Sequence, residues 1–265
     1  MYSVEHKKYL RKQKRENYLV LFFQLMIIIF FLALWQISAE LGWINTFISS
    51  SPKAILETIV GLHQDNNLYQ HIFITVWETF ISFSLGTLIG ILIATILWYI
   101  PFLNRVVEPY LTILNSLPKV ALGPIIIIWC GAGMKSIIFM ALLISVIITI
   151  INVYQGFSEI DSNKIRLLQS MNATKTQIYR YLILPGSFNT IISALKINIS
   201  LTLIGVIMGE FLVSKSGIGY LIMYGSQVFN LDLVITGVFI LCIVAALMYY
   251  SIFYLEKFLI KHTKR

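Results

Sequence analysis

Tyr18 to Ser38 is a run of 21 residues that contains no charged side chain. About 20 apolar residues in an α-helix cover the roughly 30 Å hydrocarbon core of a bilayer, so this run commits the chain to a membrane. Similar runs recur at about Ile72 to Ile100, Arg105 to Cys130, Ser136 to Tyr154, Ser187 to Val213 and Leu233 to Glu256. The pattern predicts an all-α polytopic protein with six transmembrane helices. Composition agrees, since 58% of residues are hydrophobic and 12% charged, against about 25% charged in a soluble domain.

The net charge of +8 is distributed as an orientation signal, which argues against a nucleic-acid partner. Lys7, Lys8, Arg11, Lys12, Lys14 and Arg15 precede the first run, and Lys257, Lys261, Lys264 and Arg265 follow the last. Arg105, Lys164, Arg166, Lys175 and Arg180 fall in even-numbered connections on the same side. Six crossings put 15 of the 20 Lys/Arg inside and only Lys53, Lys135 and Lys215 outside. Both termini are thus predicted to be cytoplasmic, with residues 1–17 forming a basic tail. The first run is longer than a signal-peptide core and lacks a small-residue cleavage site, so an uncleaved helix is expected.

Inside the runs, Gly86 with Gly90 and Gly205 with Gly209 each place two hydrogen side chains on one helix face, where backbones can approach closely. Pro118, Gly123 and Pro124 interrupt the third run and free carbonyls that lipid cannot satisfy, so that stretch is expected to face protein or a watery path. Outside them, Ser51-Pro52 opens a stretch whose apolar residues recur at near-helical spacing; a short interfacial helix and a packed loop both fit it. The ionisable residues Glu78, Glu108, Lys119, Lys196 and Glu210 lie in or near the membrane and are default functional candidates. Pro118, Lys119, Pro124 and Glu210 are the candidates for the translocation path; Glu78 and Glu108 fit positions near the interfaces, and Lys196 fits a structural pair. Cys130 and Cys242 read as core residues. His6, His63, His71 and His262 are scattered and suggest neither a zinc site nor a triad.

One long polar stretch lies between the fourth and fifth runs, Gln155 to Pro185. Asp161 or Ser162 can cap a short helix reaching about Met171, and Asn172 tolerates the left-handed position after it. Thr174 with Gln177 fits a capping box that opens a second helix. Leu167, Leu168, Met171, Ile178 and Leu182 give the pair apolar faces, and Pro185 ends the second helix and can begin the fifth spanning one.

This stretch resembles the cytoplasmic motif of permeases from binding-protein-dependent ABC importers: Glu-Ala-Ala, three residues, Gly, nine residues, Ile, one residue, Leu-Pro. The spacing is met by Arg166-Leu167-Leu168, then Asn172, Leu182 and Leu184-Pro185. Arg166 reverses the charge of the motif's Glu, while Asn172 replaces its Gly mildly. Other segments resemble the nitrate, taurine and aliphatic sulfonate branch of these permeases: Ser51-Pro52, residues 116–124, Trp129-Cys130-Gly131, Gly156 with Asp161, Glu210, and Ser216-Gly217-Ile218-Gly219-Tyr220-Leu221.

The resemblance implies a permease domain over residues 18–265. Its coupling loop, at about 155–185, docks through Arg166, Leu167, Leu168, Asn172, Leu182, Leu184 and Pro185 into a cytoplasmic ATPase. The implied partners are two ATP-binding cassette subunits, a second permease copy in a dimeric pore, an extracytoplasmic solute-binding protein and the lipid bilayer. Residues 129–136 lack the two glycines of a phosphate-binding loop, having Trp129 and Met134 in their places, so ATP hydrolysis is expected from a partner. No covalent chemistry and no cofactor are expected here. The implied solute is a nitrate-, sulfonate- or taurine-like anion, or a heterocycle such as a thiamine precursor or riboflavin; the two membrane lysines favour the anion. An ion-coupled secondary transporter is the alternative, against which stands the lack of an internal repeat. A membrane enzyme would show clustered His or carboxylates at one face, and none is seen.

Overall fold

The computed structural model describes residues 4–65 and 67–263, with side chains described over residues 12–65 and 67–258. Lys264 and Arg265 therefore lie outside the described residues, as do the side chains of His6, Lys7, Lys8, Arg11, Lys261 and His262. Among the described residues all regular structure is helical.

The expected basic tail is continuous with the first span: α1 (Val4–Glu40) is one helix of 37 residues. At 1.5 Å per residue it extends about 55 Å, well beyond the hydrocarbon thickness. Its apolar side chains from Tyr18 to Ile37 stay largely exposed. Asn45 caps α2 (Thr46–Ser49), and Ser51 caps α3 (Pro52–Gln64) by accepting the Ala54 N–H at 3.2 Å. The ambiguous stretch is thus a helix. It is held because Ile55 is buried and Ile59 and Leu62 pack on a cluster that includes Leu68, Ile218 and Ile240.

The remaining elements are α4 (Asn67–Tyr99), α5 (Pro101–Ser116), α6 (Gly123–Cys130), α7 (Met134–Ser158), α8 (Ser162–Ser170), α9 (Lys175–Ile178), α10 (Leu184–Gly186), α11 (Phe188–Val213), α12 (Ile218–Gln227) and α13 (Leu231–Thr263). Helices α1, α4, α7, α11 and α13 are each long and apolar enough to cross a membrane. The run expected at Arg105 to Cys130, with an interruption at Pro118, Gly123 and Pro124, is indeed broken there. It is a bent pair, α5 and then a 3-10 turn leading into α6, turned by 86°. The reason is local: Leu117, preceding a proline, is extended at φ −67° and ψ 141°.

Helix α7 lies between α4 and α11, and both glycine pairs face it. A Cβ on Gly86 or Gly90 would meet Ser145 or Thr149, and one on Gly205 or Gly209 would meet the Cα of Ala141 or Ile137. Small residues thus bring the three central backbones into direct contact. Several of the polar groups buried there bond within the protein, where lipid offers no alternative, although Ser82 Oγ and Ser145 Oγ have no hydrogen-bond partner among the described residues. Thr79 Oγ1 donates to the Thr75 carbonyl at 2.7 Å, and Asn198 Nδ2 joins α11 to α4 through Thr87 Oγ1 at 2.8 Å.

Candidate functional site

The α7–α11 connection forms the helix pair that its capping residues imply. Asp161 Oδ1 accepts the Asn163 N–H at 2.8 Å and starts α8, and Asn172 sits at φ 58° after it. Thr174 and Gln177 close a capping box at the start of α9. Pro185 does not end the second helix as expected. The chain passes from α9 through a π turn, Tyr179–Ile183, into α10, with the Leu184 N–H donating to the Tyr179 carbonyl. The wider turn accommodates a proline that cannot donate a hydrogen bond. Ser187 Oγ then donates to the Gly156 carbonyl at 2.8 Å, tying the exit of the insert to the end of α7.

The insert has an inner and an outer side, and the motif residues divide between them. Ile178 and Ile183 are buried with Phe157, Val153 and Ala94, and Leu168 and Leu182 pack against that cluster. Leu167 is 61% exposed and Met171 70%. Arg166, Asn172, Leu184 and Pro185 are also exposed. Two further contacts lock the inner side, and neither is encoded in the local sequence. Lys175 Nζ donates to the Tyr99 carbonyl at 2.6 Å, capping α4, and Tyr179 Oη pairs with Thr95 Oγ1 at 2.8 Å.

At the bent span, Pro118 and Pro124 are exposed and Lys119 is half-buried. Lys119 Nζ donates to the Asn115 carbonyl at 3.1 Å and to its Oδ1 at 3.2 Å. A cation there satisfies carbonyls in the open last turn of α5. Gly123 is buried where α6 touches Leu212 and Met140. Beside α5, a cleft of about 310 Å³ against α7 is lined by Asn104, Glu108, Thr112, Tyr154, Gln155 and Ser158. Glu108 is exposed on that cleft. Lys196 is indeed paired, its Nζ lying 2.5 Å from Glu256 Oε2 of α13.

Glu210 lies at the opposite end of α11, only 1% exposed. Its Oε1 accepts from Thr75 Oγ1 at 2.6 Å, and its Oε2 accepts the Gly219 N–H at 2.5 Å. Thr75 Oγ1 in turn accepts the Ile218 N–H at 2.8 Å, and His71 Nδ1 accepts the Gly217 N–H at 2.9 Å. The N-terminus of α12 is therefore clasped by side chains from α4 and α11, with the carboxylate at the favourable end of the helix dipole. Gly217, at φ +112°, and Gly219 are required because a Cβ on either would collide with the Glu210 side chain. Glu78 is buried against Glu210, and its Oε2 has no hydrogen-bond partner among the described residues. The stripe His71, Thr75, Glu78, Ser82, Gly86, Gly90, at steps of three or four, is the sequence signal for this buried polar face.

A family model described as "binding-protein-dependent transport system inner membrane component" matches residues 86–265, from within α4 to the end of the chain, including the whole α8–α10 insert. The chain belongs to that family. This permease is 26% identical over 215 residues to the aliphatic sulfonates transport permease protein SsuC of Escherichia coli K12, covering 81% of this chain and 82% of that one. It is also 26% identical over 245 residues to the formylaminopyrimidine transport permease protein ThiX of Halalkalibacterium halodurans, covering 92% and 95%. In fold it is similar to a chain of the MetNI methionine ABC transporter in inward-facing conformations, with a TM-score of 0.66 at 20% identity over 76% of this chain and 98% of that chain. The permease is thus a membrane-spanning subunit of an ATP-binding-cassette importer, and a multi-pass membrane protein.

Proposed function

We propose that the permease is one half of a dimeric pore in which α8 transmits the ATPase cycle to the spanning helices. The observation that carries this reading is the division of the insert. Leu167 and Met171 project outward from α8, while Leu168, Ile178 and Leu182 anchor the same unit to α4 and α7. A push on the outer side therefore reaches two spans through a rigid, capped body. In this reading each of two permeases docks one ATP-binding cassette subunit in the cytoplasm, and both termini lie on that side. A solute-binding protein delivers cargo to the face that carries Glu210 and the α11–α12 connection. The permease itself performs no chemistry. The second copy is most simply an identical chain, which would cover the exposed apolar face of α5, including Val106, Tyr110 and Ile113.

The path is assigned to the α5 side of the bundle, where the bend at Pro118 to Pro124 adjoins the polar cleft around Asn104 and Glu108. Lys119 and Lys196 do not argue for an anionic cargo, since each has an internal partner. Glu108 is the acid that faces the cleft. Relatives named for a sulfonate and for a formylaminopyrimidine support a small polar solute of either kind. The test is affinity purification of the full chain from its native membrane in mild detergent, with mass spectrometry of what accompanies it. Recovery of an ATP-binding cassette ATPase is expected; an intact membrane complex without one would overturn the reading.

A further inference from the structure

The charge on the outer surface of α8 says what kind of groove the helix enters, provided that the coupling role proposed for it holds. Helical spacing puts Asn163, Arg166, Leu167 and Ser170 on the side opposite Ile165 and Leu168, with Lys164 and Met171 at its edges. Leu168 and Ile165 pack inward, whereas Lys164, Arg166, Leu167 and Met171 are exposed. The acids that open the insert are already engaged: Glu159 Oε1 accepts from Gln155 Nε2 at 3.1 Å, and Asp161 Oδ1 accepts the Asn163 N–H. Lys175 is likewise held at Tyr99, and the Arg180 guanidinium lies over the Tyr181 ring at 5.9 Å. Among the described residues Lys164 and Arg166 have no ion-pair partner.

We infer that the ATPase groove receiving α8 has an apolar floor for Leu167 and Met171 and carboxylates placed against Arg166 and Lys164. Two unpaired cations flanking two exposed apolar side chains, on a helix held rigid from behind, form a surface complementary to that groove and to no basic one. Charge complementarity of this kind selects partners, because like charges brought together are strongly disfavoured. Leu167 and Met171 favour a protein partner over anionic lipid, since a headgroup layer would satisfy the cations but gives no reason for apolar side chains at the outer side of a short polar insert.

The experiment uses the full chain in nanodiscs of zwitterionic lipid, together with the ATPase that co-purifies with the wild type. Retention of that ATPase is compared for wild type, Arg166→Lys, Arg166→Glu and Leu167→Asp. Arg166→Lys is expected to retain it, and Arg166→Glu to weaken retention about tenfold or more. Wild-type retention should fall as salt approaches about 1 M, where the screening length is about 3 Å. Because Arg166 is exposed, an unchanged gel-filtration profile is expected for its variants. If Leu167→Asp releases the ATPase but Arg166→Glu does not, the groove is not acidic and the inference fails while the coupling assignment stands. If no ATPase accompanies the wild type, both fail. If Arg166→Glu changes only the hydrogen exchange of α8 in discs containing anionic lipid, the cations serve the membrane and the inference is overturned.

Discussion

Glu210 shows how one residue's meaning changes once its partners are known. In the sequence it is a charge at the end of a span; in the fold it is the acceptor that holds the first turn of α12. Its removal leaves two buried donors, the Thr75 O–H and the Gly219 N–H, without an acceptor, at a cost of about 1–3 kcal/mol each. Glu210→Ala is therefore expected to lower the detergent-solubilised Tm clearly, and Glu210→Gln, which keeps an acceptor, to lower it less; equal losses would contradict the clasp. The glycines of Ser216-Gly217-Ile218-Gly219 were legible as a motif, but their cause was not, because it lies in a side chain from another part of the chain. Lys196 was legible as a structural pair. Its partner Glu256, which is 60 residues away, was not. Lys196→Met alone is expected to destabilise more than Lys196→Met combined with Glu256→Gln, because the single change strands a carboxylate. Thermal unfolding of the four members of that cycle measures the coupling.

At the scale of elements, the capping residues of α8 and α9 could be read directly. Asp161, Asn172, Thr174 and Gln177 act through bonds to their own neighbours, which sequence spacing encodes. Which of two adjacent leucines faces out was not encoded, because that depends on how the insert lies on α4 and α7. Leu168→Asp is expected to disorder the insert, seen as faster hydrogen exchange over residues 162–185, whereas Leu167→Asp should leave exchange unchanged. Thr174→Ala should cost about 1 kcal/mol and loosen α9 alone. In the run carrying Pro118 the interruption was legible from its prolines and glycine, but the 86° turn between the two short helices was not, because it depends on the extended conformation at Leu117. Glycine spacing identified faces for close packing, and the fold supplied the partner. Gly205→Ala is expected to force α7 from α11, since its Cβ would lie 2.5 Å from the Ala141 Cα.

For the whole molecule, the spans, their charge asymmetry and the single polar insert fit together in the proposed reading, in which force applied at α8 would reach the pore through α4, α7 and α11. The proposed topology implies a sidedness that labelling can test. Ser216→Cys should react with a membrane-impermeant maleimide on intact cells, and Lys164→Cys only after permeabilisation; the reverse would invert the topology. Family and fold were legible because spans, caps and motif spacing are properties of the chain itself. The cargo was not, because in the proposed dimer it would depend on how two copies shape a common path. The coupling role of α8 is tested most directly by photocrosslinking in native membranes, with a crosslinking amino acid placed in turn at Leu167, Met171 and Leu168. An ATP-binding cassette ATPase is expected to be captured from positions 167 and 171 and not from 168. Capture of lipid alone from all three positions would contradict that role.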